Sequence, residues 1–466
     1  MQYQIMADST EINAKNVQEW MRVFQSEILP ERKKFGDYYD GKNCIIKQGA
    51  VKGRPNYSIN VNMAKYIIDV ATSYVFGIDI GYDTKDNNAK KFLEQLLYIN
   101  KNCDSAEVDF QQGGDMSTYG VSYQLILAPE EKVGFWAKLL GLNDIKDRII
   151  FKWLNPEQTF YVVDNTVLNT PICGVYFYSY TENKAEKTKI YVYDNEMLYV
   201  FVDSNGVVNF VPEETEAHNM GRIPILQSLN NDDAFSDIYS VEGILDALSL
   251  AISNNTDNLQ SIANAILAIS GGTLNEEQIK EINEYKVANL PVGSNMEWII
   301  KNINPEAEKM QIDNLKKFLL QITQVPDLTD EAFGGNQSGV AMEFKLWGLN
   351  QLWATKSKKY TKTLYERMKI IAHLLQYRFK NNVELINSID VTFSKNLPKD
   401  NSDLYQMINT LKDIVSKRTL LAQIPFVDDV NAELEELDKE AEKNADLYGF
   451  NNNENLNAQG GEDGEE

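Results

Sequence analysis

Few residues in this 466-residue chain have the types and spacing that catalysis requires. It has two histidines, His218 and His373, and three cysteines, Cys44, Cys103 and Cys173. A hydrolytic triad needs a base, a nucleophile and an orienting acid held together, and neither histidine has such a pattern nearby. No cysteine forms a Cys-x-x-Cys pair, and none sits in metal-ligand spacing with a histidine. The histidines therefore read as structural or solvated, and the cysteines as buried free thiols in a reducing compartment. Carboxylates are plentiful, at 68, so pairs such as Asp232/Asp233 and Asp428/Asp429 arise by chance. Nothing marks one as a two-metal site. The expectation is a protein that is not an enzyme, with no catalytic, cofactor-binding or metal-binding residues.

One segment departs from that bland picture. Phe333, Gly334, Gly335, Asn336, Gln337, Ser338 and Gly339 form a glycine-rich run that leads into a helix start. Helix starts present backbone N–H groups to anions. The run lacks the phosphate-loop pattern, because no lysine follows its last glycine. Its glycines open backbone angles closed to other residues. Asn336, Gln337 and Ser338 offer hydrogen bonds without charge. Asp327, Asp330 and Glu331 stand just before and repel phosphates at close range. An ordinary interhelix turn is the plain alternative.

The composition is globular, with 43% apolar and 24% charged residues. The length allows two or three domains. The formal charge of −23 excludes a tight DNA-wrapping protein, which must neutralise phosphates. Solubility explains it; so does a surface past which DNA slides without sticking. Residues 431–466 carry twelve acids against two lysines, and the end beyond Tyr448 reads as disordered. No basic-then-apolar leader opens the chain, and no stretch reaches the length of a membrane span; Asn264 interrupts the richest run. The chain is expected to begin its life in cytoplasm.

The elements that must position these residues follow from periodicity. Apolar stripes predict helices over 11–35, ended near Pro30 and followed by a turn with Gly36 and Gly41, then over 61–76 and 87–100. Residues 118–211 are short Tyr/Val/Ile runs with turn pairs between them, which predicts an antiparallel meander with one face to solvent. Helical spacing then runs from about Asp232 to Ile269. Its middle, SNNTDNLQS, is too polar for a monomer's core, so Asn254, Asn255, Asp257 and Asn258 are candidates for contact with a neighbouring chain. A small helix-and-strand insert spans 273–304. A helix from Pro305 to Gln324, a loop, and a long helix from Val340 to Phe379 bent at Gly348 follow. Two further helices fit 401–415 and 431–445. The class is α+β, with long helices that a ring of like subunits would cover.

Several ordered elements resemble the portal family of long-tailed phages of Gram-positive bacteria. They are Tyr38-Tyr39-Asp40-Gly41; Asn60 and Asn62 ahead of Lys65, Tyr66 and Ile67; Tyr74-Val75-Phe76-Gly77; Gly221, Ile223 and Pro224 with Asn230, Ser236 and Asp237; and the run from Val325 to Met342. The resemblance covers roughly residues 20–425. It implies a portal-protein fold in a ring of about twelve subunits. Residues 1–234 would be a mixed α/β wing, 235–270 and 305–324 the stem helices, and 271–304 the clip. Residues 325–339 would be a tunnel loop facing DNA, 340–380 a long kinked helix of the wing, 381–445 a helical crown, and 446–466 an acidic tail. The implied partners are copies of itself, a terminase motor, major capsid and scaffolding proteins, a head–tail adaptor at the clip, and double-stranded DNA passing without sequence specificity. The implied place is the portal vertex of the virion, with assembly in host cytoplasm. The alternative is another non-enzymatic head or connector protein.

Overall fold

The computed structural model describes residues 3–43, 56–129, 148–263, 266–271, 295–299, 304–329, 339–375 and 382–396, with isolated positions in 276–293 and parts of 408–440. Cys44 lies outside them. The chain divides into two compact units, Met1–Asn396 and Leu397–Glu466. In the second unit, residues 408–411 are helical within the expected 401–415 helix, and Lys417–Leu421 is a short helix. Parts of 430–440, in the expected 431–445 helix, are helical too.

The first unit opens with strand β1 (Ile5–Ala7) and helix α1 (Ala14–Val23), capped by the Asn13 side chain. A π turn over Phe24–Ile28 links α1 to α2 (Leu29–Asp40), so the chain stays helical through Pro30 rather than ending there. The wider turn explains this. Pro30 sits in the first turn of α2, where its missing N–H costs nothing. Gly36 lies inside α2, and Gly41 ends it at φ 71°, a conformation suited to glycine. Then come α3 (Met63–Phe76), β2 (Gly81–Thr84), α4 (Lys90–Asn102) and α5 (Ser105–Tyr119). No apolar stripe announces α5 in the sequence, because Gln112, Gly113 and Ser117 lie on its buried face.

The expected meander splits into two sheets. Strands β3 (Val121–Leu127) and β4 (Ile150–Leu154) belong to a three-stranded sheet. Strands β5 (Thr159–Asp164), β6 (Pro171–Glu182), β7 (Ala185–Tyr193), β8 (Met197–Ser204), β9 (Val207–Phe210) and β10 (Glu216–Ala217) form the antiparallel part of the larger sheet, and β1 adds to its edge in parallel with β5. Strand β11 (Ile225–Leu229) completes the smaller sheet, in the order β11-β3-β4. One face of the large sheet packs Phe160, Val175, Phe177, Ile190 and Phe201 on Trp20, Phe24 and Ile28. The other face is covered too: Tyr161 and Tyr193 pack on Tyr123, Leu125, Ile223 and Ile225 of the small sheet region. The second face is amphipathic rather than polar, since tyrosine buries its ring and still bonds through its hydroxyl.

Helix α6 (Glu242–Ala263) is about 33 Å long. It ends earlier than expected, because Ile266–Ser270 is strand β12, held by antiparallel pairing with β13 (Asn295–Ile299) despite its leucine and alanine. Helix α7 (Pro305–Thr323), capped by Asn304, returns along α6. The long helix is in two pieces, α8 (Gly339–Lys345) and α9 (Trp347–Leu374), and the break falls at Leu346. Helix α10 (Asn382–Asn387) and strand β14 (Ile389–Thr392), paired with β2, close the unit. No described helix is long and apolar enough to cross a membrane.

Candidate functional site

Two of the motif elements, Tyr38–Gly41 and Asn60–Asn62, meet beside helix α6. Asn60 donates to Gly41 O at 2.9 Å, and Asn62 donates to Tyr39 O at 2.9 Å while capping α3. Tyr38 donates to Asp246 of α6 at 3.0 Å, and Asn43 donates to the same carboxylate at 3.2 Å. Burial, with the Asp246 carboxylate beside it, pushes the Tyr38 phenol well above its usual range.

From Tyr57 to Val61 the chain lies extended along α6. Its alternate N–H groups bond to every fourth side chain of the helix: Val61 N to Ser249 Oγ at 3.2 Å, Ile59 N to Ser253 Oγ at 2.9 Å, and Tyr57 N to Asp257 Oδ1 at 2.8 Å. Two residues of extended chain advance about 6.7 Å and four of helix about 6 Å, so the two repeats nearly match. The longer aspartate side chain takes up the accumulated difference. Ser249 and Ser253 are buried.

This ladder changes the reading of the polar middle of α6. Asp257 and Asn258 have partners within the chain, since Asn258 also donates to Glu308 of α7 at 3.0 Å. Asn254 is exposed and Asn255 half-buried. Polarity that suggested a neighbouring chain thus serves in part to bind this chain to itself.

Helix α9 buries two cations on one face, three turns apart. Lys356 is 1% exposed and donates to Ser117 Oγ at 2.8 Å, Asn230 Oδ1 at 2.5 Å and Asp237 Oδ2 at 2.8 Å. Burial lowers the tendency of its amine to hold a proton, and Asp237 opposes that. Asp237 and Asn230 belong to the loop that feeds α6, and Asp237 N donates to Ser117 O at 2.9 Å. One ammonium therefore joins α5, α9 and the root of α6. Arg367 is equally buried and pairs with Asp109 of α5, which also accepts from Tyr360 at 2.6 Å. Burial works against the guanidinium charge, but Asp109 outweighs it and raises its proton affinity. The sequence signal for both was present: Lys356, Tyr360, Leu364, Arg367 and Ile371 lie at helical spacing with apolar residues.

The base of the glycine-rich segment is also pinned. Tyr66 donates to Pro326 O at 2.9 Å and accepts from Leu328 N at 3.0 Å. Lys316 pairs with Asp327 at 2.7 Å. Gln324 ends α7 at φ 59° and lies against Gly348, whose added Cβ would stand 3.0 Å from Gln324 Cβ. Gly348 is thus a point of close approach inside α9, and the bend expected there sits at Leu346. Residues Phe333, Gly334, Gly335, Asn336, Gln337 and Ser338 lie outside the described residues, and Gly339 begins α8.

Among the described residues no group of histidine, cysteine or acidic side chains could hold a metal. Cys103 and Cys173 are free thiols; burial pushes the Cys103 thiol up to about 11 and the Cys173 thiol higher. His218 accepts from Met220 N at 3.1 Å through Nδ1 and faces Asp194 O at 3.0 Å through Nε2, so the neutral ring fits both. His373 packs against Gly221, where a side chain has no room. His218 thus serves a turn and His373 packs against a glycine.

Large apolar side chains remain exposed on the two long helices and at the helix break. They are Leu259 on α6, Met310, Phe318 and Ile322 along one side of α7, and Phe344 and Trp347 flanking Leu346.

Comparison with known proteins gives this architecture a family. The chain is 23% identical over 462 residues to the portal protein of Bacillus phage SPP1, covering 94% of this chain and 86% of that protein. It is 23% identical over 460 residues to the portal protein of Clostridium phage phiCD119, covering 91% and 95%. A solved structure described as "Neck of empty GTA particle computed with C6 symmetry" is 12% identical, with a TM-score of 0.41 over 78% of this chain and 90% of that one. The family model for "Phage portal protein, SPP1 Gp6-like" matches residues 25–447, and the chain belongs to that family of phage portal proteins.

Proposed function

We propose that the chain closes into a ring of about twelve copies at one vertex of a phage head, and that the ring's channel passes double-stranded DNA inward during packaging and outward during ejection. The family match over residues 25–447 carries this reading. The exposed apolar residues of α6, α7 and the helix break support it, because a neighbouring subunit in a ring would cover them. In this reading residues 1–234 are the wing, 235–270 and 305–324 the stem, 271–304 the clip, 325–339 the tunnel loop, 340–380 the broken long helix, and 381–445 the crown. Asn254 and Asn255 face the next subunit. The clip receives a head–tail adaptor, a separate terminase supplies the energy, and capsid and scaffolding proteins surround the wing. Assembly takes place in host cytoplasm. The chain itself catalyses nothing.

The net charge of −23 suits a conduit that holds no particular sequence. The segment Phe333–Gly339 lines the bore, with uncharged Asn336 and Gln337 near DNA. Native mass measurement and end-on particle averages test the assembly. A single species of roughly 640 kDa with a central hole is expected for twelve chains of 53.1 kDa. A monomer or an open filament as the sole species contradicts the reading. For the loop, lysine at both Asn336 and Gln337 should leave the ring intact and shorten the DNA packaged per head, with relief as salt rises. Normal packaging at low salt contradicts the lumen assignment.

A further inference from the structure

A cavity of about 510 Å³ opens between the large sheet, strand β11 and helix α9. Its floor, the most buried part of the lining, is largely apolar, with Tyr161, Ile223 and Leu226 beside Thr363. Its rim carries Arg222, Lys359 and Lys362 against a single carboxylate, Glu366. A locally cationic concavity is unexpected in a chain of net charge −23.

The cations are not locked in place. Arg222 shares Glu366 with Lys369, at 2.9 and 2.5 Å. Lys359 is mostly covered, and its partner Asp232 is 92% exposed. The Lys362 side chain forms no salt bridge among the described residues and lies close enough to attract Asp232. A carboxylate arriving from outside would therefore meet Lys362 and could displace Asp232 from Lys359. An apolar side chain beside that carboxylate would find the floor.

Strand β11 is the edge of its sheet, yet it cannot accept another strand easily. The Tyr161 hydroxyl donates to Ile225 O, and Thr363 donates to Gln227 O at 3.2 Å. Recognition here must run through side chains rather than through strand addition.

We propose that this cavity is a docking site for an acidic peptide segment of another protein, one that places a carboxylate among Arg222, Lys359 and Lys362 and an apolar side chain on the floor. Charge complementarity and the apolar floor together select that chemistry over a bare polyanion. Every lining residue lies in the first unit of one chain, so the cavity is complete without a neighbouring subunit.

The test is fluorescence anisotropy with the full-length protein and a labelled peptide of alternating glutamate and leucine. Two control peptides replace glutamate with lysine, or leucine with serine. The glutamate–leucine peptide should bind, the serine control should bind about tenfold or more weakly, and the lysine control should not bind. Lys362→Glu should weaken binding about tenfold, Lys362→Arg by less than about threefold, and raised salt should weaken it throughout. Lys362 is exposed, so the fold should survive; unchanged melting of both variants verifies this. Equal binding of the lysine control, or no effect of Lys362→Glu, overturns the proposal. A short DNA duplex that displaces the peptide and itself loses binding in Lys362→Glu would assign the patch to nucleic acid instead. Peptide binding that tightens about tenfold when residues 446–466 are removed would show that the chain's own tail occupies the cavity, and would overturn it as well.

Discussion

The buried Lys356 can be tested by removing its charge and keeping its length. Lys356→Met retains the stem of the side chain and loses the ammonium, leaving Asp237 buried at 7% side-chain exposure with no cation. Breaking a buried pair in this way costs about 3–5 kcal/mol. The loss should be local first. Asp237 N donates to Ser117 O, and Lys356 bonds Ser117 and Asn230 directly, so the segment 230–241 opens without its pin. At 1.4 kcal/mol per decade, hydrogen exchange in that segment should speed up by about two to three and a half decades. Asp237→Asn should do similar harm by stranding the ammonium. The double variant strands neither, so it should lose less than the sum of the two, by about 2 kcal/mol or more. Hydrogen exchange read by mass spectrometry on peptides spanning 230–241 measures all three. Additive losses, or unchanged exchange in Lys356→Met, would refute the view that this pair holds the root of α6.

Three other outcomes follow from the geometry. Ser253→Ala should strand the Ile59 N–H and cost about 1–3 kcal/mol, read as faster exchange at residues 57–61 with little change in the large sheet. Gly348→Val should force apart the backbones at Gln324 and cost about 1–3 kcal/mol or more, with a lower melting temperature; Gly348→Ala should be milder. Burial lowers the pKa of His218 in the folded state, so its contribution to stability is complete above the ordinary histidine value of 6.5 and is lost as pH falls from there through the folded value. Thermal melts from neutral to mildly acidic pH should show that loss in the natural chain, and a smaller loss in His218→Gln.

Much of the fold was legible because periodicity survives where one face of an element is apolar. Helices at 63–76, 90–102 and 305–323 and the tyrosine-rich strands fall close to their expected positions. Helix α5 was not legible, since its inner face bonds Asp109 to Arg367 and Gln112 to Gln124 instead of presenting leucines. Pro30 misled because a π turn, which no residue pattern announces, readies the helix to take it. The polar middle of α6 suggested contact with a neighbouring chain, but Asp257 and Asn258 have partners within this one. One partner of Asp257 is Tyr57 of the same chain, 200 positions away, and spacing within one helix carries no information about that. The motif elements were visible one by one. That Tyr38, Asn60 and Asn62 meet beside α6 depends on tertiary folding alone.

The contact between Gln324 and Gly348 also bears on how this family can change. The chain leaves α7 at one and enters α9 beside the other, and Tyr66, bonded to Pro326 and Leu328, anchors the departing end a second time. Closing a flexible loop costs only about 0.6 kcal/mol more for each doubling of its length. A change of chain length between residues 329 and 339 therefore adds little closure cost, provided that these anchors are kept and position 348 stays small.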